Sequence, residues 1–219
     1  MVKAVIFDMD GLMIDSERVT YEGYVIECEK LGLKMEKEFY KEILGHTIPE
    51  IYQQFYGRYG QSFPMDEVLK RVHTYMEDLF QEQGVPLKEG LVELLVYLKA
   101  NGYQTVVATS STRERVNKIL KQAELSKFFD ASVCGDEVEK GKPNPEVFLK
   151  ACEKIGVKPE KAIVLEDSEA GIQASFVAGI PVICVPDMKY PEEQFAKKAN
   201  TIVGSLRVVL EMFLSGEIS

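Results

Sequence analysis

Asp8 and Asp10 stand one residue apart at the end of an apolar run, in VIFDMDGLMIDSE (5–17). Two carboxylates crowded at the end of a buried strand repel each other and lose hydration. Such an arrangement persists where a cation or a reaction uses it. Taken alone, the stretch is also compatible with an ordinary strand ending in a polar turn, Gly11 supplying φ > 0. Three later stretches repeat the pattern. VVATSS (106–111) runs a strand into Thr109, Ser110 and Ser111; GKPNP (141–145) brings Lys142 after the short strand ASVCG; AIVLED (162–167) ends in Glu166 and Asp167. Ligands of a doubly wound sheet bind at the carboxyl ends of its strands. Carboxylates, hydroxyls and a lysine gathered there are the donors of a magnesium and phosphate site.

Each residue type has a chemical reason. Mg²⁺ takes hard oxygen ligands and keeps several waters, so carboxylates plus a substrate phosphate suffice. An ion among Asp8, Asp10, Glu166 and Asp167 relieves their repulsion and neutralises phosphoryl oxygens. Asp8 can then attack phosphorus and form an aspartyl phosphate, with Asp10 protonating the leaving oxygen and later taking a proton from water. Thr109 and backbone amides around Ser110 would hold phosphoryl oxygens, and Lys142 would offset charge on nucleophile and phosphate together. Each group also has a plainer use. Thr109–Ser111 could cap the next helix, Lys142 could be a solvated loop lysine, and Glu166–Asp167 could serve a helix dipole. GDEVEKGK is not a P-loop, because Pro143 stands where that motif needs Ser or Thr. No GxGxxG follows a strand, and His46 and His73 form neither a metal cluster nor a serine–histidine–aspartate pattern.

These residues need a scaffold, and the chain spells one. From Gly90 onward apolar strands alternate with helical stretches: LVELLVYLKANG, YQTVVATSS, TRERVNKILKQAE, ASVCG, NPEVFLKACEKIG, AIVLED, SEAGIQASFVAGI, PVICVP, TIVG and SLRVVLEMFL. Strands this apolar, separated by helices, predict a parallel sheet covered on both faces. VKAVIFD belongs to that sheet but is cut off from it by residues 16 to about 86. That segment is helical in texture, in ERVTYEGYVIECEKLG, EIYQQFYGRYG and DEVLKRVHTYMEDLFQEQG, and is joined near Met13–Ser16 and Val85–Gly90. The expectation is an α/β protein: a doubly wound, Rossmann-like parallel-sheet core (1–15 and 87–219) with an inserted α-helical domain (16–86). Two connections of this kind suit a hinge.

Composition excludes other classes. The chain of 219 residues has 46% apolar residues and a net charge of −9. It shows no basic stripe, so a nucleic acid polymer is not an expected partner. No apolar run reaches the ~18 residues of a membrane span. Four scattered cysteines without a CxxC pair read as reduced and mostly buried, in a cytoplasmic protein.

FDMDGLMID, VVATSS, GKPNPEVF and VLEDSEAGI resemble, in order, the four motifs of the haloacid dehalogenase superfamily of phosphohydrolases. The likeness spans essentially the whole chain. The helical insertion looks like the small cap of that family's phosphatase and β-phosphoglucomutase branch. The resemblance implies Asp8 as nucleophile, Asp10 as acid/base, Thr109 as phosphate-binding hydroxyl and Lys142 as the motif-three lysine. It further implies Asp167 as the main Mg²⁺ carboxylate with Glu166 beside it, and the Asp10 carbonyl as another ligand. Because Asp10 is present, phosphate-ester chemistry is implied rather than dehalogenation. Where the mutases carry a cap histidine and arginine, this chain has Thr20 and Ile48. The expected function is hydrolysis of a small phosphorylated metabolite, a sugar phosphate or nucleoside monophosphate, by a monomer. Glu17, His46 and Thr47 are candidate cap contacts. A sugar phosphate mutase is the alternative, and a receiver-like phosphoacceptor signalling domain a remote one that the motif order opposes.

Overall fold

A computed structural model describes residues 1–218. Six strands, β1 (Ala4–Phe7), β2 (Gln104–Ala108), β3 (Ala131–Val133), β4 (Ala162–Glu166), β5 (Val182–Cys184) and β6 (Thr201–Ile202), form one sheet in the order β3-β2-β1-β4-β5-β6. Every pairing is parallel. The chain builds outward from β1 to β2 and β3, then returns to the other side of β1 for β4. The order therefore reverses between β1 and β4, the place where such sheets bind ligands. Every residue of β1 and β4 is buried. Alternation along the strands sends Ala4, Ile6, Val106, Ala108, Ala162 and Val164 into one apolar cluster. Val5, Phe7, Val107 and Leu165 are turned to the opposite face and are equally buried.

The chain divides into two compact units, Met1–Asp15 with Val85–Ser219, and Ser16–Gly84. The second is built from α1 (Ser16–Lys30), α2 (Lys37–Ile43), α3 (Ile48–Tyr59) and α4 (Met65–Gln83). Met65, Val68, Val72, Met76 and Phe80 recur three and four apart along α4 and are all buried. Phe55 lies at the centre, its ring centroid 5.2–5.3 Å from those of Tyr24, Phe39 and Phe63. α2 was not expected. KEFYKEI makes two turns only, too short for its apolar residues Phe39, Tyr40 and Ile43 to display a period.

Around the sheet lie α5 (Leu91–Ala100), α6 (Arg113–Gln122), α7 (Glu146–Lys154), α8 (Glu169–Ala178), the single turn α9 (Glu193–Ala196) and α10 (Leu206–Ser215). α7 and α8 supply Val147, Phe148, Ala151, Cys152, Ile172 and Ala174 to the cluster containing Ala4 and Ile6. The segments entering and leaving the helical unit are stitched to each other. Asp15 N–H donates to the Pro86 carbonyl and Lys88 N–H to that of Met13, both at 2.9 Å, around an antiparallel bridge of Ile14 with Leu87. All four cysteines are free and buried, and burial pushes the Cys184 thiol up to about 12. Among the described residues no helix is long and apolar enough to cross a membrane.

Candidate active site

Register brings the motif residues together. Phe7 pairs with Leu165, and Asp8 N–H donates to the Leu165 carbonyl at 3.0 Å, so Asp8 and Glu166 emerge side by side. Beyond Asp8 the chain folds on itself. Gly11 N–H reaches Ile14 O at 3.0 Å, and the amides of Met13 and Ile14 both reach Met9 O. Met9, Leu12, Met13 and Ile14 are fully buried, which anchors the loop. Gly11 has φ +82°, and a Cβ there would run into the Asp167 carboxylate. Glycine is needed for the turn and for the close approach of the backbone to that acid.

Lys142 sits between the two halves. Its Nζ lies 2.5 Å from Asp8 Oδ1, 2.7 Å from Glu166 Oε1 and 3.2 Å from the Ala108 carbonyl, with the side chain 5% exposed. It is no solvated loop lysine. Glu146, opening α7, holds the loop that carries it by accepting from the amides of Glu139 and Lys140 at 2.9 and 3.0 Å. Glu166 is fully engaged: besides Lys142, its Oε2 accepts from the amide and hydroxyl of Ser168 at 2.7 and 2.9 Å. Ser168 in turn caps α8, so part of the plainer, helix-serving use of these acids is also real.

One buried cation thus faces two buried carboxylates. Burial pushes the Asp8 carboxyl up to about 7; Lys142 pulls it down, and Glu166 adds to the rise. The two anions hold the Lys142 ammonium above its ordinary range against the cost of burial. The directions agree physically, since a single ammonium cannot neutralise two anions. Asp8, Glu166 and Asp167 each offer an oxygen, and these oxygens lie within 4.8 Å of one another. Three hard donors at this spacing, short of positive charge, fit a small divalent cation such as Mg²⁺. The Asp10 carboxylate lies outside that group. Its Oδ2 accepts from Ser111 Oγ at 2.7 Å and its Oδ1 from Arg115 Nη2 at 2.6 Å.

The loop after β2 completes the edge. Thr109 is buried, its hydroxyl accepting from Ser111 N–H at 3.1 Å, while the Ser110 side chain is exposed. Thr112, not Thr109–Ser111, caps α6. Gly135 N–H donates to Ser111 O at 2.8 Å, and a Cβ on Gly135 would strike the Ser110 carbonyl. The loop after β3 therefore braces the hydroxyl loop by passing directly against it.

Residues 5–185 match the model of the haloacid dehalogenase-like hydrolases. The chain belongs to that family. It is 34% identical over 181 residues to the phosphorylated carbohydrates phosphatase of Thermotoga maritima, covering 82% of each chain. It is 32% identical over 187 residues, 84% of each chain, to hexitol phosphatase B of Escherichia coli K12. Among solved structures it resembles a Thermotoga maritima protein provisionally named a β-phosphoglucomutase, with TM-score 0.81, 29% identity and 100% coverage of both chains.

Within this hydrolase the sequence-predicted residues separate into groups. Asp8, Lys142, Glu166 and Asp167 are clustered, and Asp10 is joined to the hydroxyl loop. The other three lie in the helical unit. Glu17, in the first turn of α1, accepts from Tyr40 Oη at 2.6 Å. Thr47 caps α3, its amide and hydroxyl both donating to Glu50 Oε2 at 2.7 and 2.8 Å. That bond lowers the Glu50 carboxyl and gives Thr47 a structural duty. His46 is exposed and, with Phe39, Glu42, Glu50 and Arg58, lines a shallow depression. Thr20 back-bonds to the Ser16 carbonyl at 2.8 Å, and Ile48 is exposed. Sequence reasoning missed Arg115 and the hydrogen bond from Ser111 to Asp10. A signal existed: a cation in the first turn of a helix opposes the dipole and calls for a local anion.

Proposed function

We propose that this hydrolase is a Mg²⁺-dependent phosphatase acting on a small phosphorylated metabolite through an aspartyl phosphate on Asp8. The observation that carries the reading is the ammonium of Lys142 shared by Asp8 and Glu166, beside Asp167, at the point where strand order reverses. Asp8, Asp167 and the Asp10 carbonyl would hold the cation, with Glu166 beside them. When bound, it would neutralise carboxylate and phosphoryl oxygens. Lys142 keeps Asp8 oriented and offsets charge as the phosphoryl group arrives. Thr109 and the amides around Ser110 hold phosphoryl oxygens. Asp10 gives a proton to the leaving oxygen, then takes one from the water that releases phosphate. The named activities of the two curated relatives favour a sugar or polyol phosphate, with a nucleoside monophosphate the other candidate. The helical unit, with Glu17, His46 and Thr47, is the segment to select among them.

A phosphate-release screen over phosphorylated metabolites with Mg²⁺ tests this. Turnover is expected, is lost in chelator, and is abolished in a folded Asp8→Asn protein; steady release near the wild-type rate by that variant would refute it. The likeness to a provisionally named β-phosphoglucomutase favours a second reading, mutase action. Thr20 and Ile48, in place of that branch's histidine and arginine, weigh against it. β-Glucose 1-phosphate with catalytic 1,6-bisphosphate separates the two: near-stoichiometric glucose 6-phosphate without phosphate release would establish the mutase.

A further inference from the structure

α6 opens with two arginines in its first turn, Arg113 and Arg115, where a cation meets the positive end of the helix dipole. Each is held there by an anion. Arg113 pairs with Glu137, and Arg115 pairs with the Asp10 carboxylate. The second pairing joins a helix to the acid–base group of the proposed reaction. It leaves neither carboxylate oxygen without a donor, because Ser111 Oγ takes Oδ2 at 2.7 Å while Arg115 Nη2 takes Oδ1 at 2.6 Å. The donors are themselves fixed. The Ser111 amide is bonded to Thr109 Oγ1 and its carbonyl to Gly135 N–H, while the Arg115 amide is bonded to the Thr112 cap.

We propose that Arg115 is a positioning residue for Asp10: it makes Oδ1 a permanent acceptor and so reserves Oδ2 for the proton that passes to the leaving group. The inference rests on the reading of Asp10 as the acid–base group. A guanidinium has five N–H donors and no acceptor, whereas a hydroxyl both donates and accepts. A proton on Oδ1 would occupy one of its acceptor positions and weaken that oxygen's charge-assisted bond to the guanidinium. A proton on Oδ2 is tolerated, because the Ser111 hydroxyl can turn to accept it. In the first half-reaction an Asp8 oxygen bonds to phosphorus, the bond from phosphorus to the leaving oxygen breaks, and the Oδ2 proton ends on that oxygen. In the second, water bonds to phosphorus, its proton goes to Oδ2, and the bond to Asp8 breaks. Arg115 touches neither phosphorus nor leaving group.

The test uses leaving groups. kcat/KM covers steps up to leaving-group departure, and only a poor leaving group needs the proton. The two probes are 4-nitrophenyl phosphate and the best alkyl phosphate from the screen above. In Arg115→Ala, kcat/KM for the alkyl phosphate is expected to fall about 10–100-fold, part of the 10²–10⁴ that general acid catalysis supplies. For 4-nitrophenyl phosphate it should stay within about threefold, and KM should change little for either. Arg115→Lys should restore most of the loss, and Arg115→Gln, which keeps the length without the charge, should not. Equal losses on both substrates, or a loss confined to KM, would overturn the inference while leaving the phosphatase reading intact. Failure of the wild type to release phosphate from either probe would overturn both.

Discussion

At the scale of single residues the site is an exercise in charge. The side chains of Lys142, Asp8 and Glu166 are buried together, one basic and two acidic groups. The Asp8 carboxyl consequently sits near 7 instead of in the usual carboxylate range. The sign for stability follows. A carboxyl whose folded value is raised favours the fold in its neutral form, so its contribution is full at acid pH. That contribution is lost as pH climbs from about 4 through about 7. A divalent cation that binds the ionised carboxylates should restore the loss. In chelator, melting temperature is therefore expected to decline between pH 5 and pH 8. Addition of Mg²⁺ should raise it more at pH 8 than at pH 5. At a hundredfold excess over Kd the gain corresponds to about 2.7 kcal/mol, or roughly 5–10 °C for a chain of this size. Thermal melts at the two pH values decide it. A Mg²⁺ effect equal at both, or absent, would detach the cation from Asp8.

At the scale of elements, two of the loops at the site are each tied by a carboxylate: Asp10 holds the loop after β2 through Ser111, and Glu146 holds the loop that carries Lys142. Glu146, at the start of α7, accepts from two amides of the Lys142 loop and pairs with Lys150 at 2.7 Å, which lowers its carboxyl to about 2. A depressed carboxyl stabilises above its unfolded value and loses that effect as pH falls through the folded one. The amides of Glu139 and Lys140 should therefore lose protection between about pH 4.5 and pH 2. In Glu146→Gln they should be less protected already at neutral pH; hydrogen exchange followed by mass spectrometry reads both. Unchanged protection in Glu146→Gln would show that the loop stands without this tie. The same elements explain what the sequence disclosed. Asp8, Thr109, Lys142 and Glu166 were legible because each ends or follows an apolar strand, and parallel register carries strand ends to one edge. Arg115 was legible only in part: its place in the first turn of α6 calls for an anion, but no local pattern reveals that the anion follows β1. α2 stayed hidden for want of length. Thr47, a candidate contact residue, also bonds Glu50 at the start of α3, because a cap and a contact residue share the same chemistry.

At the scale of the whole chain, the helical unit leaves and rejoins the core through segments that pair with each other, around Ile14 and Leu87. Paired residues of an antiparallel bridge lie about 4.5–5.5 Å apart, so a short turn can close that gap. A chain in which Asp15 is joined to Val85 by a few glycines and serines is expected to fold and to melt cooperatively. Circular dichroism of that shortened protein checks it, and a chain without cooperative melting would mean that the core needs residues 16–84. The pairing has a consequence for synthesis. β1 is central to the sheet, yet it starts at residue 4 while its neighbours β2 and β4 start at residues 104 and 162, gaps of 100 and 158. At about 5–20 residues per second, the ribosome makes its last neighbour some 8–30 s after β1 itself. Throughout that interval AVIF is an apolar segment with both edges open, a hazard for association with other nascent chains. The helices of residues 16–84 contact one another locally and can fold during the wait. The strand around which the sheet is organised is thus translated before either neighbour, and is the one left longest in need of a chaperone.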